Sequence, residues 1–307
     1  MIPHFNVSHI NFLKSKTFGL IAALLTVTIW ASFLVGTRFA VNGDFTVEEI
    51  LVLRLVPGAF ALIPLMLKYD LLPRKQSWLR SIILMIGASA VFPFIVSSGL
   101  VYAPASDGGA LAPGILPFWT AIAAYLLAKE VPDKRRSLGL ILILVGALVV
   151  GLWDILLGSD GETWKGHLMF LCGSGLFAIY SVIFRQSGLT PLHGLIIGLF
   201  WGTLTITPFL ILTGNVTFAN SGTSSIIVMI LLQSFVIGIL ATIFFSYAVK
   251  ILGAAETGAF GALTPILALV GGIFLLDEPF EPFKIVGITL VAFGVLLASG
   301  LLDKPKL

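Results

Sequence analysis

Long apolar runs, separated by short polar connections, fill almost the whole chain. A helix needs about 20 mostly apolar residues to cross a bilayer, and the connections here reach about fifteen residues at most. The pattern therefore predicts an all-α integral membrane protein without a soluble domain. Ten transmembrane helices are predicted, at residues 17–38, 46–67, 80–101, 106–127, 138–157, 165–185, 191–213, 225–250, 254–276 and 283–302.

The apolar pattern occurs twice along the chain. Residues 109–130 and 257–278 carry nearly the same order of small, apolar and proline residues, so that Pro117 aligns with Pro265, 148 positions later. Each half contains five predicted helices, an odd number, and the second half must therefore enter the membrane from the opposite face. The predicted organisation is a cytoplasmic N-terminal segment at 1–16, a first five-helix repeat at 17–157, a second, inverted five-helix repeat at 165–302 and a cytoplasmic tail at 303–307.

Charged side chains are scarce and unevenly distributed. They make up 11% of the residues, against 58% for apolar ones, whereas soluble domains carry about 25% charged residues. With the N-terminus inside, 14 of the 18 Lys and Arg residues face the cytoplasm, three face outward and Arg54 lies within a span. This bias indicates topology and not nucleic-acid binding, and it predicts that both termini are cytoplasmic.

The sequence offers little for catalysis. The predicted mid-membrane region has no paired aspartates and no serine with a base, and the chain lacks a GxxxxGK[ST] motif for nucleotide phosphates. A single cysteine, Cys172, excludes an internal disulfide. His167 and His193 lie near the predicted membrane faces, which argues against a proton relay or a metal site. We expect no catalytic residue, no metal and no cofactor.

Three features of the chain resemble a known family. They are a glycine-led first helix ending near Trp30, the segment LVLRLVPGAFAL with Arg54, and a small-residue run with a mid-helix proline and a terminal glutamate in both halves. Together they resemble the drug/metabolite transporter superfamily, specifically its EamA-like ten-helix members. The resemblance implies an inner or plasma membrane carrier of small metabolites. It also implies that helices one to four and six to nine surround a central cavity, with helices five and ten peripheral.

Glycine pairs mark the two helices that the resemblance places at the periphery. Gly139 with Gly146, and Gly287 with Gly294, are each spaced seven residues apart and so lie on one helix face. Small residues on one face permit close approach of two backbones in the membrane. We expect these glycines to serve packing.

Arg54 is the one strong charge predicted well inside a span. Placing it there costs about 2.5 to 3.5 kcal/mol on insertion scales. In one interpretation its guanidinium engages a carboxylate or phosphate of the substrate; in the other it forms a fixed ion pair with Asp107, Asp154 or Glu49. The aligned position of the second half is Gly198, so the site is predicted to be asymmetric.

Pro117 and Pro265 fall near the middle of predicted helices four and nine. Proline lacks an N–H and clashes with the carbonyl four residues back, so each frees a carbonyl that needs another partner. We predict paired kinks that line the cavity and act as hinges, with packing alone as the alternative. Asp107 and Glu256, at the starts of the same helices, either complement the helix dipole or take part in gating or proton coupling.

Aromatic and hydroxyl side chains are the remaining candidates for substrate contact. The rings could wall a cavity or serve ordinary core packing, and the hydroxyls could bind substrate or bond to their own helix. The predicted substrate-binding set is Arg54, Trp30, Phe33, Tyr180, Ser98, Trp119, Ser246 and Tyr247.

The leading functional prediction is a secondary transporter that exports a small organic metabolite by alternating access. The single buried charge is positive, which favours an amino acid or a related anionic or zwitterionic solute. The alternatives are an exporter of drugs or other cations, a channel and a non-transporting membrane scaffold. Expected partners are the small-molecule substrate, the lipid bilayer, and protons or a counter-solute, with no nucleic acid. The protein is expected to be a monomer or homodimer.

Overall fold

The computed structural model describes residues 15–74, 76–156, 161–279 and 281–302, and within these ranges it contains helices and no strand. The all-α prediction is therefore confirmed for the described residues. Residues 1–14 of the predicted N-terminal segment and the predicted tail at 303–307 lie outside them. We number the helices α1 to α10 in chain order. They are α1 (Lys16–Asn42), α2 (Val47–Ala61 and Ile63–Met66), α3 (Trp78–Tyr102), α4 (Ala105–Ala128), α5 (Lys134–Leu156), α6 (Thr163–Ser187), α7 (Pro191–Leu212), α8 (Thr223–Leu252), α9 (Ala254–Phe260 and Leu263–Leu276) and α10 (Pro282–Ala298).

Eight helices of the described ranges are long and apolar enough to cross a membrane. The two exceptions coincide with the predicted second and tenth spans. α2 is interrupted at Leu62 and carries Glu48, Glu49 and Arg54. α10 has 17 residues, short of the about 20 that a full span needs. The lengths and apolarity of the described helices thus account for eight spans, against the ten predicted from the sequence.

The helix termini meet at two ends of the bundle. At one, here the Asp107 end, the C-terminal part of α1 meets the first turns of α4, α6 and α10 and Glu278, which follows α9. At the other, here the Glu130 end, Glu130 beyond α4 meets Arg185 of α6, and Lys16 of α1 meets Glu256 of α9. Residues of both halves of the chain therefore meet at each end.

α5 and α10 pack against each other through their glycines. A Cβ atom at Gly146 would lie 2.5 Å from the carbonyl oxygen of Gly287, and one at Gly294 would lie 2.7 Å from that of Gly139. Distances this short leave no room for any side chain. The packing role predicted for the four glycines is confirmed by this contact.

Helices α4 and α9 are both interrupted just before their aligned prolines. In α4 a π-helical turn spans Ala110–Gly114, and α9 stops at Phe260 and resumes at Leu263. The ring of Pro117 or Pro265 removes one N–H donor and excludes the carbonyl four residues earlier, so the regular α-helical ladder cannot continue through it. Within the α4 turn, the buried Ser174 hydroxyl of α6 donates to the Ala112 carbonyl at 2.8 Å. The predicted interruptions are confirmed, while the hinge role stays a prediction.

The α5–α10 contact predicts a sharp difference between two glycines of α5. Gly146→Ala should lower the free energy of unfolding by about 1 to 3 kcal/mol, because its Cβ must displace backbone. Gly151→Ala should be neutral or stabilising, because its Cβ would lie 3.8 Å from the Leu111 side chain, an ordinary contact. Both changes add the same helix propensity. Thermal denaturation of the two purified variants in detergent measures the difference, and equal melting temperatures would contradict the packing argument.

Candidate functional site

Arg54 lies between the two halves of the chain. The centre of its guanidinium, Cζ, lies 5.3 Å from the centroid of the Phe33 ring on α1, a cation–π contact. Its Nη1 lies 3.4 Å from the side-chain Oε1 of Gln233 on α8. The Gln233 amide nitrogen in turn donates to the Thr37 hydroxyl of α1 at 2.9 Å. The structure thus brings two predicted site residues, Arg54 and Phe33, together with Gln233 and Thr37.

The position of Arg54 is fixed through its backbone. The buried Ser234 hydroxyl, next to Gln233, contacts the carbonyl oxygens of Leu53 and Arg54 at 2.7 and 3.0 Å and accepts from the Gly58 N–H at 3.1 Å. Gln233 and Ser234 lie in a π-helical stretch, Leu231–Leu240, a geometry often found at functional sites. α8 of the second half therefore holds the section of α2 that carries the guanidinium.

Two of the three carboxylates considered as partners of Arg54 are engaged elsewhere. Glu49 closes the N-terminus of α2 in a capping box with Thr46, and its carboxylate also accepts the N–H groups of Thr217 and Phe218. Asp107 is bound at the Asp107 end. The side chain of Asp154 lies outside the described residues. Among the described side chains, no carboxylate lies within 4.0 Å of the Arg54 guanidinium.

Most of the other predicted substrate-binding residues make local or packing contacts. Trp30 packs on Phe245, with ring centroids 5.4 Å apart, and Tyr180 stacks on Phe184 at 5.6 Å. The hydroxyls of Ser98 and Ser246 donate to the carbonyls four residues earlier, at 2.8 and 2.7 Å, and Tyr247 packs edge-on against Phe18. These geometries favour the structural alternative for each residue.

Trp119 lies apart from Arg54. It lines an apolar cavity of about 320 Å³ between α4, α5 and α6, together with Phe118 and His167. Its buried indole N–H has no hydrogen-bond partner among the described residues. The aromatic residues predicted from the sequence therefore do not form one cavity wall, because Trp119 lines this cavity and not the Arg54 site.

A buried ion cluster occupies the Asp107 end. The Asp107 side chain is fully buried; its Oδ2 lies 2.9 Å from Nε2 of His167 and its Oδ1 lies 3.1 Å from Nζ of Lys284. Nζ of Lys284 also contacts Glu281 at 2.9 Å. This arrangement joins α4, α6 and α10. The predicted position of His167 near a membrane face does not leave it exposed, because neighbouring helices cover it.

Glu278 extends the cluster to α1. Its carboxylate accepts the N–H of Ala105 at 2.7 Å and that of Ser106 at 3.4 Å, capping the start of α4, and lies 3.9 Å from Nε of Arg38. Burial raises the pKa of the Glu278 carboxyl, and the two N–H donors and Arg38 oppose that rise. Arg38 also donates to the carbonyls of Leu100 and Val101 on α3. Glu278 is therefore buried and ties three helices together.

The Glu130 end carries a second Arg–Glu pair, which is more exposed than Arg38 and Glu278. Arg185 and Glu130 correspond in the repeat to Arg38 and Glu278, and they lie 2.6 Å apart. Their side chains are 56% and 49% exposed, against 18% and 8% for Arg38 and Glu278. Glu256 pairs with Lys16 at 3.2 Å. The same pair of residues is thus buried at one end and solvated at the other.

Sequence reasoning missed Gln233 and the contact of Asp107 with its two partners, His167 and Lys284. Gln233 stands in a run of apolar residues, where a lone buried amide is a signal that could have identified it. The Asp107 cluster has no sequence motif, since His167 and Lys284 are brought to it by separate helices. Among the described residues, no group of three or more His, Cys, Asp or Glu side chains could hold a metal ion.

A bundle of apolar helices with a charged side chain between its halves is typical of a membrane transporter, and comparisons agree. The EamA-like transporter family model matches residues 17–152 and 164–300. "Uncharacterized transporter YyaM" of Bacillus subtilis (strain 168) is 28% identical over 234 residues, covering 73% of this chain and 74% of that protein. A solved crystal structure with 15% identity covers 94% of this chain and 100% of its own, with a TM-score of 0.62, and shares the fold.

The family match covers both halves of the chain, in the two segments that the sequence repeat defines. The chain therefore belongs to the EamA-like transporter family, and its apolar helices are those of an integral, multi-pass membrane transporter.

The contrast between the two Arg–Glu pairs predicts unequal effects of the same substitution. Glu278→Gln should lower the free energy of unfolding by about 1.5 to 3 kcal/mol, because it removes the charge from a buried hydrogen-bonded carboxylate. The matched control Glu130→Gln should cost about 0 to 1 kcal/mol, because its ion pair is exposed. Denaturation of both variants under the same conditions measures the difference; a larger loss for Glu130→Gln contradicts it.

Proposed function

We propose that this protein is a secondary transporter that moves a small anionic or zwitterionic organic solute, such as an amino acid, by alternating access. The observation that carries the proposal is Arg54, a guanidinium between the two halves with no described carboxylate within 4.0 Å. A guanidinium binds a planar carboxylate through two parallel hydrogen bonds. A substrate carboxylate would supply the charge that the described residues do not.

The surroundings of Arg54 suit such a ligand. Phe33 covers one side of the guanidinium, while the Gln233 oxygen, 3.4 Å away, is a weak partner that a carboxylate would readily replace. The Gln233 amide can also present its oxygen to a substrate ammonium group. An exporter of hydrophobic cations, the competing hypothesis, would call for a carboxylate here, and the described residues within 4.0 Å of Arg54 include none.

Two features support alternating access. The Arg38–Glu278 pair is buried and the aligned Arg185–Glu130 pair is exposed, as expected if one end of a duplicated carrier is closed while the other is open. The interrupted helix α4 begins at the Glu278 carboxylate, which caps it, and ends just before Glu130. The interrupted helix α9 ends just before Glu278. In the proposed cycle the two halves are inverted repeats of five membrane helices each, and the pairs exchange roles when the central site changes sides.

The orientation in the membrane follows from the charge bias. With both termini cytoplasmic, the Asp107 end faces outward and the Glu130 end faces the cytoplasm. We propose an inner-membrane location and export of the substrate, with protons or a counter-solute as the coupled species. The inward-open state would then load substrate at Arg54 from the cytoplasm.

Substitution of Arg54 tests substrate recognition. Ligand binding stabilises a folded protein by mass action, so a thermal-shift screen of purified protein with individual amino acids and organic acids should identify stabilising ligands. Arg54→Ala should abolish that stabilisation. Arg54→Lys should weaken it at least about tenfold, because an ammonium lacks the planar pair of donors. Trp30→Phe, which changes a residue packed on Phe245, should retain it. Undiminished binding by a folded Arg54→Ala variant contradicts the proposed recognition.

Spin labels at repeat-equivalent positions test alternating access. In a Cys172→Ser background, labels at Phe39 and Phe274 report on the Asp107 end, and labels at Gln186 and Leu126 on the Glu130 end; all four native side chains are exposed. Glu278→Gln weakens closure of the Asp107 end, so the Phe39–Phe274 distance should lengthen while the Gln186–Leu126 distance shortens. If the protein were a channel or a scaffold, we would expect no such reciprocal change. Electron spin resonance measures both distances, and unchanged distances would contradict alternating access.

A further inference from the structure

The contacts of His167 place a hydrogen-bond acceptor against each of its two ring nitrogens. Nε2 lies 2.9 Å from Oδ2 of Asp107, and Nδ1 lies 3.1 Å from the carbonyl oxygen of Gly151. The carbonyl can only accept a hydrogen bond, and so can an ionised carboxylate. A neutral imidazole has one N–H and can therefore donate to one of the two. The Asp107 side chain is 0% and the His167 side chain 6% exposed, so both are withdrawn from bulk water, and the cavity that His167 lines is walled mainly by apolar side chains.

The geometry thus calls for one additional proton in the pair. If it resides on the imidazole, both ring nitrogens donate; if it resides on the Asp107 carboxyl, that group donates to Nε2 while Nδ1 donates to Gly151. We propose that Asp107 and His167 form a proton-binding site and that the bound proton holds the Asp107 end closed. The control of closure rests on the proposed alternating-access function.

The surrounding charges balance when the proton is present. Lys284 of α10 contacts Asp107 at 3.1 Å and Glu281 at 2.9 Å, and Arg38 of α1 lies 3.9 Å from Glu278. With a protonated pair the cluster has equal positive and negative charge, and loss of the proton leaves an excess negative charge in a buried region, which is costly. Two other polar groups contact the pair: the Ser106 hydroxyl of α4, 3.3 Å from Asp107, and the Gly151 carbonyl of α5, 3.1 Å from His167. Lys165 of α6 pairs with Glu162 and lies over the Tyr102 ring of α3.

Opening of this end would expose the site. Asp107 begins α4 and contacts α6 and α10, so separation of these helices breaks both of its ion pairs and admits water. Water both donates and accepts, and it removes the requirement for the extra proton. The π-helical turn that starts at Ala110 lies three residues beyond Asp107, where α4 can bend without disturbing its second part. The proton would therefore bind on closing and leave on opening.

Among the described residues, nothing equivalent is buried at the Glu130 end. Glu256, one residue out of register with Asp107, pairs with Lys16, and these side chains are 25% and 71% exposed. His193, on the same end, contacts the Asp70 carbonyl through Nε2 and is half-buried. Protonation should therefore act on one end of the carrier only.

Magnetic resonance of His167 tests the proton site without any substrate. In protein labelled at histidine nitrogens and carbons, with His167 assigned by comparison with His167→Gln, both ring nitrogens should carry hydrogen in the closed state of the Asp107 end. A neutral ring accompanied by a protonated-carboxyl infrared band that disappears in Asp107→Asn equally supports the site. A neutral ring without that band overturns the proposal.

The spin-label pairs test the coupling to closure. Raising the pH should lengthen the Phe39–Phe274 distance in the otherwise native protein, because loss of the proton favours the open Asp107 end. Asp107→Asn and His167→Gln should abolish this response, and the control His193→Gln should retain it. A response that persists in both site variants, or that is missing from the native chain, overturns the proton-controlled closure.

The two proposals fail separately. If Glu278→Gln gives no reciprocal change of the two label pairs, alternating access is wrong, while the resonance and infrared data still decide whether the pair binds a proton. If the reciprocal change occurs and the imidazole is neutral beside an ionised Asp107, the proton site is wrong and the carrier function stands.

Discussion

A buried charge without a partner is expensive in a low-dielectric interior, and the arrangement of this bundle follows from that constraint. At the Asp107 end the charged groups are matched, Asp107 by His167 and Lys284 and Glu278 by Arg38 and the start of α4. Arg54 is treated differently: an aromatic face and one amide oxygen reduce the cost of its charge but do not cancel it. The matched charges hold helices together, whereas Arg54 has no carboxylate partner among the described side chains and, under the proposed function, is free to pair with a substrate charge.

The bundle combines one tightly packed helix pair, α5 with α10, and two interrupted helices, α4 and α9. α5 and α10 approach so closely at Gly146 and Gly287 that neither position has room for a side chain, and this contact binds one helix of each half into a common edge. α4 and α9 are broken before their prolines and carry Glu130 and Glu278 at their far ends. A conformational change that repositions the charged ends can therefore use the breaks while the glycine contact stays intact.

The sequence could predict the features that depend on local pattern and could not predict those that depend on which helices meet. Apolar runs, aligned prolines and glycine pairs are periodic or repeated in the sequence. They correctly predicted the helices, the interruptions of α4 and α9 and the packing of α5 on α10, respectively. Asp107, His167 and Lys284 belong to three helices, and depth along a single helix does not reveal that its neighbours cover a side chain. The aromatic set was predicted as one wall for the same reason, yet Trp119 faces a cavity between α4, α5 and α6.

The differences between the halves carry more functional information than their likeness. Two identical inverted halves would give two states of equal energy, and substrate would have no preferred side. Here Arg54 aligns with Gly198, whose carbonyl accepts the Ser89 hydroxyl at 2.8 Å and whose missing side chain gives Ser89 room. The buried pair at Glu278 likewise aligns with an exposed pair at Glu130. Under the proposed mechanism the first difference selects the substrate from one half of the site. The second sets the relative energy of the two states, so recognition and the preferred conformation of the carrier arise from separate departures from the same symmetry.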